Sequence, residues 1–294
     1  MAIGGSWKIM GHFFLNNRIK ALSPFVLLMI MTLIIPFLVM IFYSFKSSSG
    51  TFSIQNYQTL LTESYYLKAL KNSIIISLVA SIISEIVSVL GAWSLSKLGQ
   101  KFQNIAVSIL NMVSSFAGVP LAFALIILFG NAGILNAIST AVHWNWLGKF
   151  DLYSWKGLIL AYTFFEIPLG ILFLFPTISG MKKEWREASL ILGSNKYQYF
   201  VRIAFPILKS SILGTFVILF ANAFGTYETV IALTGNNVLL LSTVIGSLIS
   251  GELDPNIPLA CAASILFAII TASLICLSRI TFKNKKYSIG KNRR

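Results

Sequence analysis

The segment MKKEWREASLILGSNKYQYFVRIAFPILK, residues 181–209, is the only interior stretch of this chain that is both long and charged. It lies between two long apolar segments. Trp185, Ala188 and residues 190–192 place apolar side chains at helical spacing as far as Gly193. A glycine can adopt a positive φ at little cost. The pattern therefore predicts a short amphipathic helix that ends at Gly193.

A second amphipathic run, residues 197–203, follows the glycine and continues until Pro206. Two short helices that meet at Gly193 would form a compact projection on a membrane surface. The alternative interpretation of the whole segment is an ordinary interfacial loop between two transmembrane helices.

The composition places the chain in a membrane. Hydrophobic residues make up 56% of the 294 positions and charged residues only 11%, too few to cover a soluble domain of this size. A net charge of +14 could indicate nucleic-acid binding, but no nucleic-acid motif accompanies it, and we predict no such partner. His12 and His143 are isolated from other metal ligands, so no metal site is predicted.

Six apolar segments are long enough to cross a membrane, for which about 20 residues suffice. They predict an all-α, polytopic membrane helix bundle. Its transmembrane domain spans residues 22–280, between a basic N-terminal segment, 1–21, and a basic tail, 281–294. The predicted spans are 22–45, 74–96, 105–129, 157–178, 211–233 and 257–277.

The basic residues predict the orientation of the chain. Of its 23 Lys and Arg residues, 18 lie on the side that holds both termini, the 97–101 connection and the 181–209 segment, and 5 lie on the other side. Cytoplasmic segments carry the excess of Lys and Arg in membrane proteins. Both termini and the 181–209 segment are therefore predicted to be cytoplasmic.

Three carboxylates lie in or at the edge of the predicted spans: Glu85, Glu166 and, late in the fifth span, Glu228. A charge near the bilayer centre costs about 2.5–3.5 kcal/mol on insertion scales, so such residues usually face the bundle interior or water. Each is a candidate for a translocation pathway, and Tyr227 joins Glu228 in a polar helix end that suits a cation. Alternatively, Glu85 is a neutral acid hydrogen-bonded to a neighbouring helix, and Glu228 only reaches the outer interface.

The 181–209 segment resembles the EAA loop of ABC importer permeases. Glu187-Ala188-Ser189 is followed after three residues by Gly193 and after nine more by Ile203-Ala204-Phe205-Pro206. Ser189 stands where the family often has alanine, and Phe205 where it often has leucine. The resemblance implies that the segment docks on a cytoplasmic ATPase. The coupling residues that it implies are Glu184, Glu187, Ala188, Ser189, Gly193, Ile203 and Pro206.

The resemblance covers roughly residues 60–280 and implies a type I ABC importer permease (MetI-like) fold in the bacterial inner membrane. It also implies a second permease subunit, two ATPase subunits and an external substrate-binding protein as partners, beside membrane lipid. The sequence contains no GxxxxGK[ST] run. We therefore expect a non-catalytic subunit without a cofactor of its own, with ATP and Mg bound by the partner ATPase.

The substrate is suggested by a further resemblance. Residues 220–236, FANAFGTYETVIALTGN, resemble the polyamine, phosphonate and ferric-iron branch of these permeases, which favours a small polar or cationic solute such as a polyamine. Thr234-Gly235-Asn236 departs from the Leu-Gly-Gly of the polyamine branch. One rival is an ion-coupled secondary transporter that uses the intramembrane Glu residues, although no inverted repeat is detectable. The other rival, a membrane enzyme, lacks a carboxylate and histidine cluster.

Overall fold

The computed structural model describes residues 23–283, apart from 48–49, 143–149, 236 and 252–254. The predicted N-terminal segment and most of the predicted tail lie outside these residues. Across the described residues the regular structure is helical, apart from one isolated β-bridge between Lys46 and Phe52. The helices are α1 (Ser23–Ser44), α2 (Gln55–Thr62), α3 (Ser64–Leu95), α4 (Gln100–Ser114), α5 (Val119–Phe129), α6 (Ile134–Ala141), α7 (Trp155–Ser179), α8 (Lys183–Ile191), α9 (Lys196–Gly225), α10 (Glu228–Thr234), α11 (Leu241–Ser250) and α12 (Ile257–Lys283).

Six candidate membrane spans are present in the described part of the chain, which confirms the predicted number. They are formed by α1, α3, α5 together with α6, α7, α9 and most of α12. The third span was predicted to be one continuous helix over residues 105–129, and this prediction was wrong. Residues 105–129 fall on two helices, α4 and α5, because the chain leaves helical geometry between Ser114 and Val119. Pro120 lies in the first turn of α5, where its missing amide hydrogen breaks no helical hydrogen bond.

The prediction that a second short helix extends to Pro206 was also wrong. The fifth span starts at Lys196 rather than at residue 211 and continues through the proline. A π-helical turn, Phe200–Ala204, precedes Pro206, and the amide of Phe205 donates to the carbonyl of Phe200. Because a proline offers no amide hydrogen to the carbonyl four residues earlier, this wider turn keeps the helix continuous. In α1, the π-helical turn Ile30–Ile34 likewise ends two residues before Pro36.

The centre of the bundle is the contact between α3 and α7. One face of α3 presents small residues at helical spacing, and all of them are buried: Ser73, Ser77, Ala80, Ser84, Ser88 and Ala92. Small side chains allow two membrane helices to approach closely. At the closest point, a methyl group placed on Gly170 of α7 would lie 2.4 Å from Ser88 Oγ. That hydroxyl donates to the carbonyl of Ile167 at 3.0 Å.

Helix α11 lies in the 234–256 region, where the sequence analysis predicted no span. Its first amide, that of Leu241, donates to Ser73 Oγ of α3 at 2.7 Å. The side chains of Leu241, Val244 and Leu248 are buried in a cluster with residues of α9 and α12. The 10-residue helix thus packs inside the bundle, although it is too short to cross a membrane.

Candidate functional site

The first candidate site is a surface knob, which we define as α8, the 192–195 turn and the first turn of α9. Helix α8 ends at Ile191 and is terminated by the turn at Gly193, where φ is +78°. The amide of Gly193 donates to Leu190 O at 3.0 Å, and the amide of Ser194 donates to Ser189 O at 3.0 Å. This pair of bonds is a Schellman motif, which satisfies carbonyls that a helix end leaves free. The predicted helix end at Gly193 is confirmed.

The opposite side of the turn is fixed by a capping box at the start of α9. The amide of Gln198 donates to Asn195 Oδ1 at 2.8 Å, and the amide of Asn195 donates to Gln198 Oε1 at 3.0 Å. Because both amides would otherwise lack partners, the box defines where the helix begins. The turn between the two helices is therefore held by hydrogen bonds at both ends.

The knob presents apolar side chains at its tip. Ile191, Leu192 and Tyr197 are 87%, 86% and 74% exposed. Exposure of several large apolar side chains on one charged projection is typical of a protein-binding surface. Sequence analysis assigned these residues to amphipathic patterns and did not identify the tip that they form.

Four of the seven predicted coupling residues line one cavity of about 730 Å³ on the knob: Ala188, Ser189, Gly193 and Ile203. The hydroxyl of Ser189 donates to the carbonyl of Arg186 at 2.8 Å, and the side chain is buried. Glu184 and Glu187 are exposed on α8, and Pro206 is exposed on α9. These three residues do not line the cavity.

The knob is joined directly to the bundle. Helix α9 runs without interruption from the knob to Gly225. The ring of Phe200 packs edge to face on Trp93 of α3, with the ring centroids 5.7 Å apart. A displacement of the knob would therefore act on both α9 and the end of α3.

The second candidate site lies where the start of the third span meets the end of the fifth. Between α4 and α5, Gly118 has φ of +74°; between α9 and α10, the chain turns at Thr226 and Tyr227. A methyl group on Gly118 would lie 2.7 Å from Glu228 Oε2. Glu228 is thus the first residue of α10 and not a late residue of a continuous fifth span, which corrects the prediction. Its carboxylate lies beside the N-cap residue of α5, where the helix dipole favours a negative charge.

Tyr227 is fixed at the same turn. Its ring packs so closely on α11 that a methyl group on Gly246 would lie 2.5 Å from Cε2. The hydroxyl of Ser242 donates to the carbonyl of Thr226 at 3.0 Å. Tyr227 and Glu228 are both exposed on the single subunit. The structure thus brings these two predicted pathway residues together on one accessible surface.

Glu85 and Glu166 form a separate, buried pair on the facing helices α3 and α7. They are 7% and 0% exposed, and they are close enough to interact electrostatically. No hydrogen bond of standard geometry joins either carboxyl group to a described residue, although the hydroxyl of Ser84 lies close to Glu166. The hydrogen bond to a neighbouring helix that was considered for Glu85 is therefore not present there. Both residues are closed off from the surface that exposes Glu228.

The profile of a known protein family matches most of this architecture. The family is described as binding-protein-dependent transport system inner membrane component, and the match covers residues 86–284, more than half of the 294 positions. The chain belongs to this family. It is a permease subunit of an ABC importer and a multi-pass membrane protein, and the predicted membership in this family of permeases is confirmed.

Relatives of the permease transport different substrates. It is 24% identical over 234 residues to the sulfate transport system permease protein CysT of Escherichia coli (strain K12), a match that covers 79% of this chain and 81% of that protein. It is 25% identical over 269 residues to the spermidine/putrescine transport system permease protein PotB of Haemophilus influenzae, covering 89% and 93%. A putative ferric transport system permease protein, FbpB 1 of the same species, is 25% identical over 242 residues, a match that covers 80% of this chain and 37% of that protein.

Solved structures confirm the fold of the permease. A bacterial ABC transporter involved in the import of the acidic polysaccharide alginate aligns with a TM-score of 0.76 and 17% identity, covering 95% of this chain and 98% of that one. The alginate ABC transporter in complex with an alginate pentasaccharide-bound periplasmic protein aligns with a TM-score of 0.72 and 18% identity, covering 93% and 95%. The type I importer permease (MetI-like) fold was therefore predicted correctly.

Sequence analysis of the permease missed Gly118 as a site residue. The signal was present in the order Gly118-Val119-Pro120, because a proline just inside a helix start and a glycine immediately before it mark a helix boundary. The predicted span 105–129 instead ran continuously through Pro120. The contact of Gly118 with Glu228, 110 positions away, depends on tertiary packing.

Proposed function

We propose that this permease forms half of a translocation pathway and couples it to a cytoplasmic ATPase through the knob. The observation that supports coupling is the apolar tip formed by Ile191, Leu192 and Tyr197 on a projection continuous with α9. An ATPase surface that covers this tip removes apolar area from water, and each fully buried Leu or Ile contributes about 1.5–3 kcal/mol. Because α9 ends at Gly225, a movement of the knob reaches the turn beside Glu228.

The complete transporter in this proposal contains two permease subunits, two ATPase subunits that bind ATP and Mg, and an external substrate-binding protein. The permease itself hydrolyses no ATP. The excess of basic residues on the side of the knob supports a cytoplasmic position for it in a bacterial inner membrane. The periplasmic protein named with the alginate transporter supports a binding-protein partner.

We further propose that the substrate is a small polar or cationic solute, such as a polyamine. The names of the relatives include sulfate, ferric and spermidine/putrescine systems, so they do not decide between anions and cations. Glu228 supports a cation, because it places an exposed carboxylate between the end of the fifth span and the start of the third, with Tyr227 beside it. A carboxylate and an aromatic face are both groups that attract a cation.

Glu228→Gln is expected to lower ATP-dependent uptake of a polyamine by about tenfold at limiting concentration, equivalent to about 1.4 kcal/mol. The amide keeps the size of the side chain and removes its charge. Uptake of radiolabelled spermidine by proteoliposomes that contain the assembled transporter measures the effect. Glu63→Gln, at an exposed carboxylate before α3, is the matched control and should leave uptake unchanged.

Equal uptake by the Glu228→Gln and Glu63→Gln transporters would remove Glu228 from the pathway. Uptake that continues without ATP in energised vesicles would instead support the ion-coupled alternative. That alternative would give a functional role to the buried pair Glu85 and Glu166.

Leu192→Asp is expected to release the ATPase from the permease without unfolding the permease. The side chain is 86% exposed, so the charge disturbs little in the subunit but would be desolvated on docking. Co-purification of the ATPase with tagged permease measures the loss. Ile54→Asp, at a 59% exposed position before α2, is the control. Full retention of the ATPase by the Leu192→Asp permease would contradict docking through the tip.

A further inference from the structure

A second feature of the knob is an apolar cavity on the side that faces α3. Its volume is about 380 Å³, and it lies between the end of α3, α8 and the start of α9. Almost all of its wall is hydrocarbon or aromatic surface. The apolar and aromatic residues that line it are Val89, Leu90, Trp93, Leu190, Tyr199 and Phe200.

Three basic residues from three different segments line the same cavity: Lys97, Arg186 and Lys196. An adjoining cavity of about 860 Å³ shares Lys97 and Arg186 and adds Lys182. No acidic residue lines either cavity among the residues that the structure describes. Like charges that line one cavity repel one another unless an anion lies between them. The cavity therefore combines an apolar wall with three basic side chains.

The cavity is at the membrane-surface end of a predicted span. Leu90, within α3, is 64% exposed and is thus available to lipid. Lys97 follows the end of α3, and its Nζ lies 5.7 Å from the centroid of the Trp93 ring. Tryptophan and tyrosine collect at the level of lipid headgroups, and lysine and arginine at membrane ends reach towards them. The apolar wall thus extends into the span, and the basic residues lie at headgroup level.

We propose that this cavity binds an anionic phospholipid. Its headgroup phosphate interacts with Lys97, Arg186 and Lys196, and an acyl chain lies along Val89 and Leu90. Basic pockets at the cytoplasmic ends of membrane helices are suited to anionic headgroups. A free anion would leave the apolar wall open to water, and an apolar protein segment would leave three cations without a partner. A phospholipid satisfies both parts of the site.

The bound lipid connects the knob to the bundle. Arg186 belongs to α8 and Lys196 to the first turn of α9, whereas Lys97 follows α3. One phosphate held by all three would restrain the knob relative to α3. This inference does not depend on the identity of the transported substrate or on the docking of an ATPase.

Native mass spectrometry of the full-length permease in mild detergent tests the proposal, with phosphatidylglycerol and phosphatidylcholine added in equal amounts. We expect one phosphatidylglycerol to be retained in preference to phosphatidylcholine. The Lys97→Gln/Arg186→Gln/Lys196→Gln permease should lose this adduct by about tenfold, because charge-assisted contacts supply the preference. Lys68→Gln/Lys71→Gln/Lys156→Gln removes three charges from other exposed positions and should retain it.

Several outcomes would overturn the proposal. The permease would retain the two lipids equally, or both triple variants would lose phosphatidylglycerol to the same extent. Displacement of the adduct by inorganic phosphate would identify a site for a free anion. A crosslink from Leu90→Cys to a second protein subunit would show that protein occupies the apolar wall. If the first triple variant is not monodisperse, Lys97→Gln alone is compared with Lys68→Gln, and an unchanged adduct again contradicts the site.

Discussion

Replacing Gly193 with proline is expected to abolish the stimulation of ATPase activity by substrate-loaded binding protein in the assembled transporter. Proline fixes φ near −65°, whereas Gly193 has φ of +78°. Its amide also donates to the carbonyl of Leu190, and proline has no amide hydrogen. Loss of this bond and of the left-handed turn would change the angle between α8 and α9. ATPase activity in proteoliposomes, measured with and without the loaded binding protein, detects the loss.

Side-chain volume is not the cause of this expected effect, because no atom lies within 4 Å of a methyl group built on Gly193. Gly193→Asn should therefore retain most of the stimulation, since asparagine tolerates the left-handed region better than other residues with a side chain. The stimulation of the Gly193→Ala transporter should lie between those of the Gly193→Pro and Gly193→Asn transporters. Gly214→Ala, at another position with open space but without positive φ, serves as the control. Normal stimulation in the Gly193→Pro transporter would show that the geometry of this turn is not needed for coupling.

Gly170→Ala is expected to destabilise the isolated permease by about 1–3 kcal/mol, the usual cost of overpacking a tight core. The added methyl group would lie 2.4 Å from Ser88 Oγ and 2.8 Å from Ser88 Cβ. The two helices would have to separate, and the bond from Ser88 to Ile167 O would lengthen. A lower melting temperature, measured by tryptophan fluorescence in detergent, should accompany the change. Gly214→Ala adds the same methyl group in open space and should not lower it.

A double-mutant cycle identifies the clash as the cause. Ser88→Gly removes the two atoms that lie within 3 Å of the new methyl group, but it also removes a hydrogen bond whose net contribution is about 1 kcal/mol. The permease with Gly170→Ala and Ser88→Gly together should therefore be more stable than the sum of the two single effects allows. Strict additivity would show that Gly170 and Ser88 are not coupled and that the close approach of α3 and α7 has another basis.

The local features of the knob could be predicted from sequence because they depend on neighbouring residues. The helix end at Gly193 follows from the low cost of positive φ at glycine. The same local reasoning was wrong at Pro206, because a π-helical turn can absorb the missing amide and keep α9 continuous. Propensity alone does not distinguish a proline that ends a helix from one that a helix accommodates.

The candidate pathway could be predicted only in part. Glu228 and Tyr227 are adjacent in sequence, so their polar character was visible. Their position in the fold could not be predicted, because Gly118 approaches Glu228 and Gly246 approaches Tyr227 from segments far away in the chain. The isolated carboxylates Glu85 and Glu166 were candidates for the same pathway in sequence. Their burial between α3 and α7 separates them from it.

The sequence by itself determined that this protein is a six-span, all-α membrane permease with an EAA-like segment on the side richest in Lys and Arg. Hydropathy and charge suffice for the number of spans and the helical class, since a lipid environment permits few backbone structures, whereas the permease assignment came from the resemblance of residues 181–209 to the EAA loop. Only the tertiary structure decided that the start of the third span lies beside the end of the fifth, that the apolar tip of the knob is exposed, and that Lys97, Arg186 and Lys196 share one cavity. These features depend on distances between residues far apart in the chain, which close helix packing sets and local sequence patterns do not encode.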